Sequence, residues 1–121
     1  MHIPEHIFKA YDVRGLYPTE INETIARQLG RGFVAYLGAS RIGVSRDMRV
    51  SSPGIAAAFM QGACEQGADV VDYGMASTDM LYFGVVQDGL QGGAQVTASH
   101  TPGRYNGVKM VRAGALPLSG D

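Results

Sequence analysis

An α/β domain is the fold this sequence predicts, and three observations carry the prediction. Ile21, Ile25, Leu29, Phe33 and Leu37 recur every four residues, which builds one apolar helix face. Arg41 to Ser45 alternates polar and apolar residues, and Asp69 to Tyr73 is a second short run of strand type. Strand and helix patterns then take turns along the chain, as in a sheet covered by helices. The expectation is a three-layer α/β/α domain with a mixed, mostly parallel sheet of about four strands.

Each element has its own signal. Ile7 to Val13 is a short extended stretch closed by Arg14-Gly15, and Tyr17-Pro18-Thr19-Glu20 is a turn. Asn22 is placed to cap the first helix and Gly38 to end it. After the strand at Arg41 to Ser45, Ser52 reads as an N-cap with Pro53 at the first helical position, where the missing N–H costs nothing. That helix runs through Ile55, Phe59 and Ala63 to Gly67, and Asp69 to Tyr73 follows as a strand. Two strands joined by a helix predict a parallel, right-handed βαβ unit. A third helix is expected from about Thr78 to Gln87, with Leu81, Val85 and Val86 inward. Gln95 to Ala98 is a third strand and Val108 to Arg112 a fourth, with Asn106-Gly107 as the turn before it. Cys64, among small apolar residues in mid-helix, is expected to be packed. Ser119-Gly120-Asp121 resembles the entry to a further helix, so Asp121 reads as a cut end.

Composition narrows the function. A chain of 121 residues suits one domain. A net charge of −1 gives no basic field to attract nucleic acid. No apolar run approaches the ~20 residues of a membrane span. The start, Met-His-Ile-Pro-Glu-His, is no signal peptide, and the single cysteine allows no internal disulfide, which points to the cytoplasm. Charged residues make up 17%, against ~25% in ordinary soluble proteins, which fits a domain that packs against others.

Chemistry concentrates between Thr97 and Lys109. Ser99 follows a strand end, where ligands bind in open α/β sheets. If the chain turns back at Asn106-Gly107, Lys109 returns close to Ser99. As an acyl-transfer nucleophile Ser99 would need a base. His100 is a poor one, because neighbours on extended backbone point opposite ways, and the Gly-x-Ser-x-Gly elbow is missing. As a phosphoryl carrier Ser99 would hold about −1.5 to −2 charges, and Lys109, Arg104 and Arg14 supply cations to stabilise the transfer. The bland alternative, turn hydrogen bonds from Ser99 and Thr101, stands level with this on the residues alone. At Asp12 and Arg14 the alternative is a surface ion pair. Between Arg46 and Ser52 an anion site at a helix start is outweighed by capping at Ser52 and a turn-forming or arginine-paired Asp47.

Together these segments resemble the N-terminal domain of the α-D-phosphohexomutases, in the phosphomannomutase/phosphoglucomutase branch. Phe8 to Gly15 is similar to that family's opening segment, Arg46-Asp47 with Arg49 and Ser51 to its second loop, and Thr97 to Pro102 followed by Asn106 to Lys109 to its phosphoserine loop. The resemblance implies that Ser99 is the phosphorylated serine, with a phosphate oxygen on Mg²⁺. It implies that His100 is a hydrogen-bonding or acid/base helper, that Arg14 and Lys109 assist proton transfer and charge stabilisation at the substrate, and that Tyr11 lines the substrate site. It implies interconversion of hexose 1-phosphate and hexose 6-phosphate through a 1,6-bisphosphate, which also acts as activator. Thr101 departs from the amide residue usual there. The remaining metal ligands belong to domains II–IV, absent from residues 1–121, so the isolated chain is expected to be inactive, with the other domains as its partners. The alternative is a non-catalytic module that keeps the fold and binds a sugar phosphate or a protein.

Overall fold

The computed structural model describes residues 8–9, 12–97 and 104–117. In chain order the elements are β1 (Phe8–Lys9), β2 (Asp12–Leu16), α1 (Glu23–Leu37), β3 (Arg41–Arg46), α2 (Ser52–Glu65), β4 (Asp69–Met75), α3 (Thr78–Gln87), β5 (Gly92–Val96) and β6 (Tyr105–Arg112). A 3₁₀ turn (Ala113–Ala115) then leads into β7 (Leu116–Pro117).

Local chemistry explains the helix ends. Asn22 Oδ1 accepts from the Ile25 N–H at 3.0 Å, and Gly38 closes α1 at φ +62°, a left-handed conformation that favours glycine. Ser77 caps α3 through the Met80 N–H, and the helix spans Thr78–Gln87 as expected. At α2 the cap lies one residue before the expected one: Ser51 is the cap and Ser52 already belongs to the helix. The Ser52 hydroxyl donates to Asp47 instead of capping.

The sheet order is β1-β2-β6-β5-β3-β4, with β7 on β6. β3 pairs in parallel with β4 and β5, while β2, β5 and β7 pair antiparallel with β6. The class is the expected one, a mixed sheet with helices on both faces, but among the described residues two strand pairings are parallel and four antiparallel, rather than mostly parallel, because β6 runs against β2, β5 and β7 and β1 folds back on β2. Among the described residues five strands have five residues or more, rather than about four, and β1 and β7 have two each. The count rises because the opening stretch runs on through Leu16 and zips against β6 as β2.

Two cores sandwich the sheet. On one face α1 and α2 bury Ile25, Phe33 and Phe59 against Val44, Val96 and Val108. On the other, α3 buries Leu81 and Val85 with Leu90 and Val111. Helices α1 and α2 touch closely: a Cβ on Gly30 would strike the Phe59 carbonyl, and one on Gly62 the Arg27 carbonyl. Two expectations about burial are corrected. Val86 is 60% exposed, because the inward pair Leu81 and Val85, four residues apart, leaves the next position turned to solvent. Cys64 is exposed, because the inward face of α2 runs through Ile55, Phe59, Gly62 and Ala63. Among the described residues no helix is long and apolar enough to cross a membrane.

Candidate functional site

The strand order contains a switch point. From β3 the chain passes through α2 to β4 on one side, then through α3 back across to β5 on the other. The crevice beyond the C-terminal ends of such a pair is where open α/β sheets bind ligands. A cleft of about 470 Å³ opens there, its lining including Asp47, Met75, Ser77, Gln95 and Thr97.

Gln95 forms part of its floor. It is 2% exposed on a strand whose other residues are glycine, alanine and valine. Its Oε1 accepts from the Ser45 hydroxyl, and its Nε2 donates to the Ala76 carbonyl at 2.9 Å. One side chain therefore joins β3, β5 and the loop after β4. Sequence reasoning missed it; the signal was a glutamine inside an otherwise apolar strand.

Arg14 and Lys109 share the same sheet face. The register sets Lys109 between Gln95 and Asp12, and Arg14 opposite Gly107. Val13, Val108 and Met110 belong to the α1–α2 core. Alternation therefore turns Arg14 and Lys109 to the other face, with Gln95. As diagonal neighbours on paired strands they lie roughly 7–8 Å apart, with their Cβ atoms somewhat closer. Both are half-buried. Two cations on one half-buried face suit an anion between them.

Ser99, His100, Thr101 and Tyr11 lie outside the described residues. The stems of the Ser99 segment do not: the Thr97 N–H donates to the Gly107 carbonyl at 2.9 Å, and the Tyr17 N–H to the Arg104 carbonyl at 2.9 Å. Arg104 stacks over the Tyr105 ring at 5.5 Å and lines a separate cleft with Tyr17, Glu23 and Ser51. Asn106-Gly107 is not the turn it resembles. Both residues lie in β6. Asn106 is fully buried and hydrogen-bonded, and a Cβ on Gly107 would lie 2.8 Å from Arg14 Cα, with the Val13 carbonyl closer still. Close approach of β2, not a left-handed turn, explains this glycine.

The second loop is held by its own side chains. Asp47 accepts from the Arg49 N–H and from Arg49 Nε, both at 3.1 Å, and from the Ser52 hydroxyl. Asp47 thus shapes the turn and pairs with an arginine. Among the described residues no three His, Cys, Asp or Glu side chains gather as a metal site.

Comparison with known proteins gives consistent answers. The family model for phosphoglucomutase/phosphomannomutase, alpha/beta/alpha domain I, matches residues 5–121. A phosphomannomutase of Salmonella montevideo is 46% identical over 114 residues, covering 94% of this chain and 25% of that protein. A phosphomannomutase of Klebsiella pneumoniae is 44% identical over 114 residues, covering 94% of this chain and 73% of that one. The crystal structure of a phosphoglucomutase/phosphomannomutase family protein from Burkholderia thailandensis superposes with a TM-score of 0.87 at 37% identity, covering 93% of this chain and 27% of that one.

Proposed function

Because the chain belongs to the phosphoglucomutase/phosphomannomutase family, matching its alpha/beta/alpha domain I, we propose that it is the phosphoserine-bearing part of an enzyme that interconverts hexose 1-phosphate and hexose 6-phosphate. The phosphoryl group leaves the Ser99 oxygen for a free hydroxyl of the hexose monophosphate. The P–O bond to Ser99 breaks as the bond to the sugar oxygen forms. The proton of that hydroxyl passes to a nearby base, and the Ser99 oxygen regains one. The resulting hexose 1,6-bisphosphate reorients and returns its other phosphate to Ser99.

Lys109 and Arg14 stabilise the charge that spreads over the phosphoryl oxygens and assist the proton's movement. His100 hydrogen-bonds or acts as acid/base helper, and Tyr11 lines the sugar's site. The observation that best supports this reading is the shared sheet face of Arg14 and Lys109, next to the stem of the Ser99 segment at Thr97 and Gly107. Mg²⁺ would draw one ligand from this chain, a phosphate oxygen on Ser99. Asp47, an acid that lines the crevice, is already engaged by Arg49 and Ser52. A single oxygen does not build a magnesium site, and the resemblance to the mutases implies that the other ligands come from further domains.

The test uses the full-length protein that carries this domain. It is incubated with Mg²⁺ and a hexose 1,6-bisphosphate, and phosphate is located by peptide mass spectrometry. Phosphate on Ser99 that disappears on addition of hexose monophosphate is the expected result. A folded protein that takes no phosphate on Ser99 refutes the reading in favour of a binding module.

A further inference from the structure

We propose that Asn106 is a positioning residue for phosphoryl transfer at Ser99, acting through the backbone on either side of segment 98–103. The inference rests on the role given to Ser99 above.

Asn106 is 0% exposed, and a buried amide is costly unless its donors and acceptor find partners. The Gly107 N–H donates to Asn106 Oδ1 at 2.8 Å, which fixes the orientation of the amide. Its Nδ2 therefore faces the second loop and donates to Ser51 Oγ at 2.7 Å and Ser52 Oγ at 3.1 Å. Ser52 passes its own hydrogen to Asp47. Asp47 holds Arg49, and Arg49 Nη1 donates to the Tyr105 carbonyl at 3.2 Å. The bonds thus close a ring that starts and ends on adjacent residues of β6. Its direction is set throughout: an amide gives, a hydroxyl relays, a carboxylate receives. Only a side chain that both donates and accepts, at the size of Asn, completes it.

The ring grips both stems of the Ser99 segment. On one side, the Asp47 N–H donates to the Val96 carbonyl at 3.1 Å. On the other, Tyr105 and Asn106 are bound directly. Between them the Thr97 N–H reaches the Gly107 carbonyl. Gly107 also packs against the backbone of Arg14, so a shift at 106 moves that cation too. Displacement of a reacting group by about 1 Å can slow a reaction by about 10²-fold without touching its chemistry. The ring lies where it would prevent such a displacement.

The experiment uses the full-length protein, phosphorylated on Ser99 with hexose 1,6-bisphosphate. The variants are Asn106→Asp, Ser52→Ala and Ser52→Thr. Asp at 106 loses the donor and Ala at 52 the relaying hydroxyl, whereas Thr at 52 keeps it. Single-turnover loss of phosphate to hexose monophosphate, KM and melting temperature are measured for each. We expect transfer to slow by about 10- to 100-fold in Asn106→Asp and by up to about 10-fold in Ser52→Ala, with KM unchanged and Ser52→Thr restoring the rate. If Asn106→Asp does not fold, the Ser52 pair decides alone. A folded Ser52→Ala protein that transfers at the wild-type rate overturns the proposal, as does a fall in melting temperature with no change in rate. Wild-type protein that takes no phosphate on Ser99 is a different failure: it removes the proposed function and this inference with it.

Discussion

Replacing Gly107 by alanine tests the sheet that joins Arg14 to Lys109. A Cβ at 107 would lie 2.8 Å from both Arg14 Cα and Arg14 Cβ, with the Val13 carbonyl closer still. Ordinary contact begins at 3.4 Å, so even the two more distant atoms fall short by 0.6 Å, the difference between 3.4 and 2.8 Å. Two of the three obstacles are backbone atoms, which no rotamer change can clear. β2 must back away from β6, and the ladder from Asp12↔Lys109 to Leu16↔Tyr105 lengthens with it. Overpacking of this kind costs about 1–3 kcal/mol, and a backbone clash belongs at the upper end. For a domain of this size that lowers the melting temperature by on the order of 10 °C. Gly32→Ala is the control. It sits in helix α1, where a Cβ meets nothing within 4 Å, so alanine should stabilise by about 0.5–1 kcal/mol. Urea unfolding of both variants beside the wild type reads the two signs in one assay. A Gly107→Ala protein with the wild-type midpoint would refute the argument that close approach of β2 selects this glycine.

Three further outcomes are expected. Replacing Lys109 by methionine should slow phosphate transfer from Ser99 by about 10²- to 10³-fold while circular dichroism and melting temperature stay unchanged; unchanged turnover would remove Lys109 from the mechanism. Tyr73 is pushed up to about 12, first by burial and then by its hydrogen bond to Asp88. Its folded value lies above the ordinary 10, so its contribution is whole below pH 10 and is lost as pH rises toward 12; a Tyr73→Phe protein should show a flatter stability profile across that window. Glu65 is held below the ordinary carboxylate value of 4.5, first by its hydrogen bond to Arg27, with burial opposing and the charge of Arg27 adding. Its contribution is therefore present above that value and lost as pH falls through the lower folded one, so the small gap in urea midpoint between wild type and Glu65→Gln at neutral pH should close in acid.

What could be read without the structure was whatever depends on near neighbours. The four-residue period from Ile21 to Leu37 fixes α1, because a helix aligns residues by a rotation that needs no partner chain. Asn22 and Gly38 mark helix ends because the cap bonds reach only three or four residues. The motif around Ser99 was legible for a related reason: its residues are contiguous, and their resemblance to a mutase loop is a local pattern. What misled was residue type out of context. Asn106-Gly107 has turn chemistry, yet here the asparagine is a buried crosslink and the glycine makes room for a neighbouring strand. Ser52 has capping chemistry, yet Asp47 takes its hydroxyl.

The sequence by itself determined the α/β class, the three helices, four of the five longer strands and the membership of a mutase family, since periodicity, caps and contiguous motifs are encoded within a few residues. Only the tertiary structure decided that β2 zips onto β6, that Arg14 shares a face with Lys109, 95 positions later in the chain (109 less 14), and that Asn106 binds Ser51 and Ser52. Those facts depend on strand register, and register is set by the fit of distant segments around a common core rather than by any property of the residues it brings together.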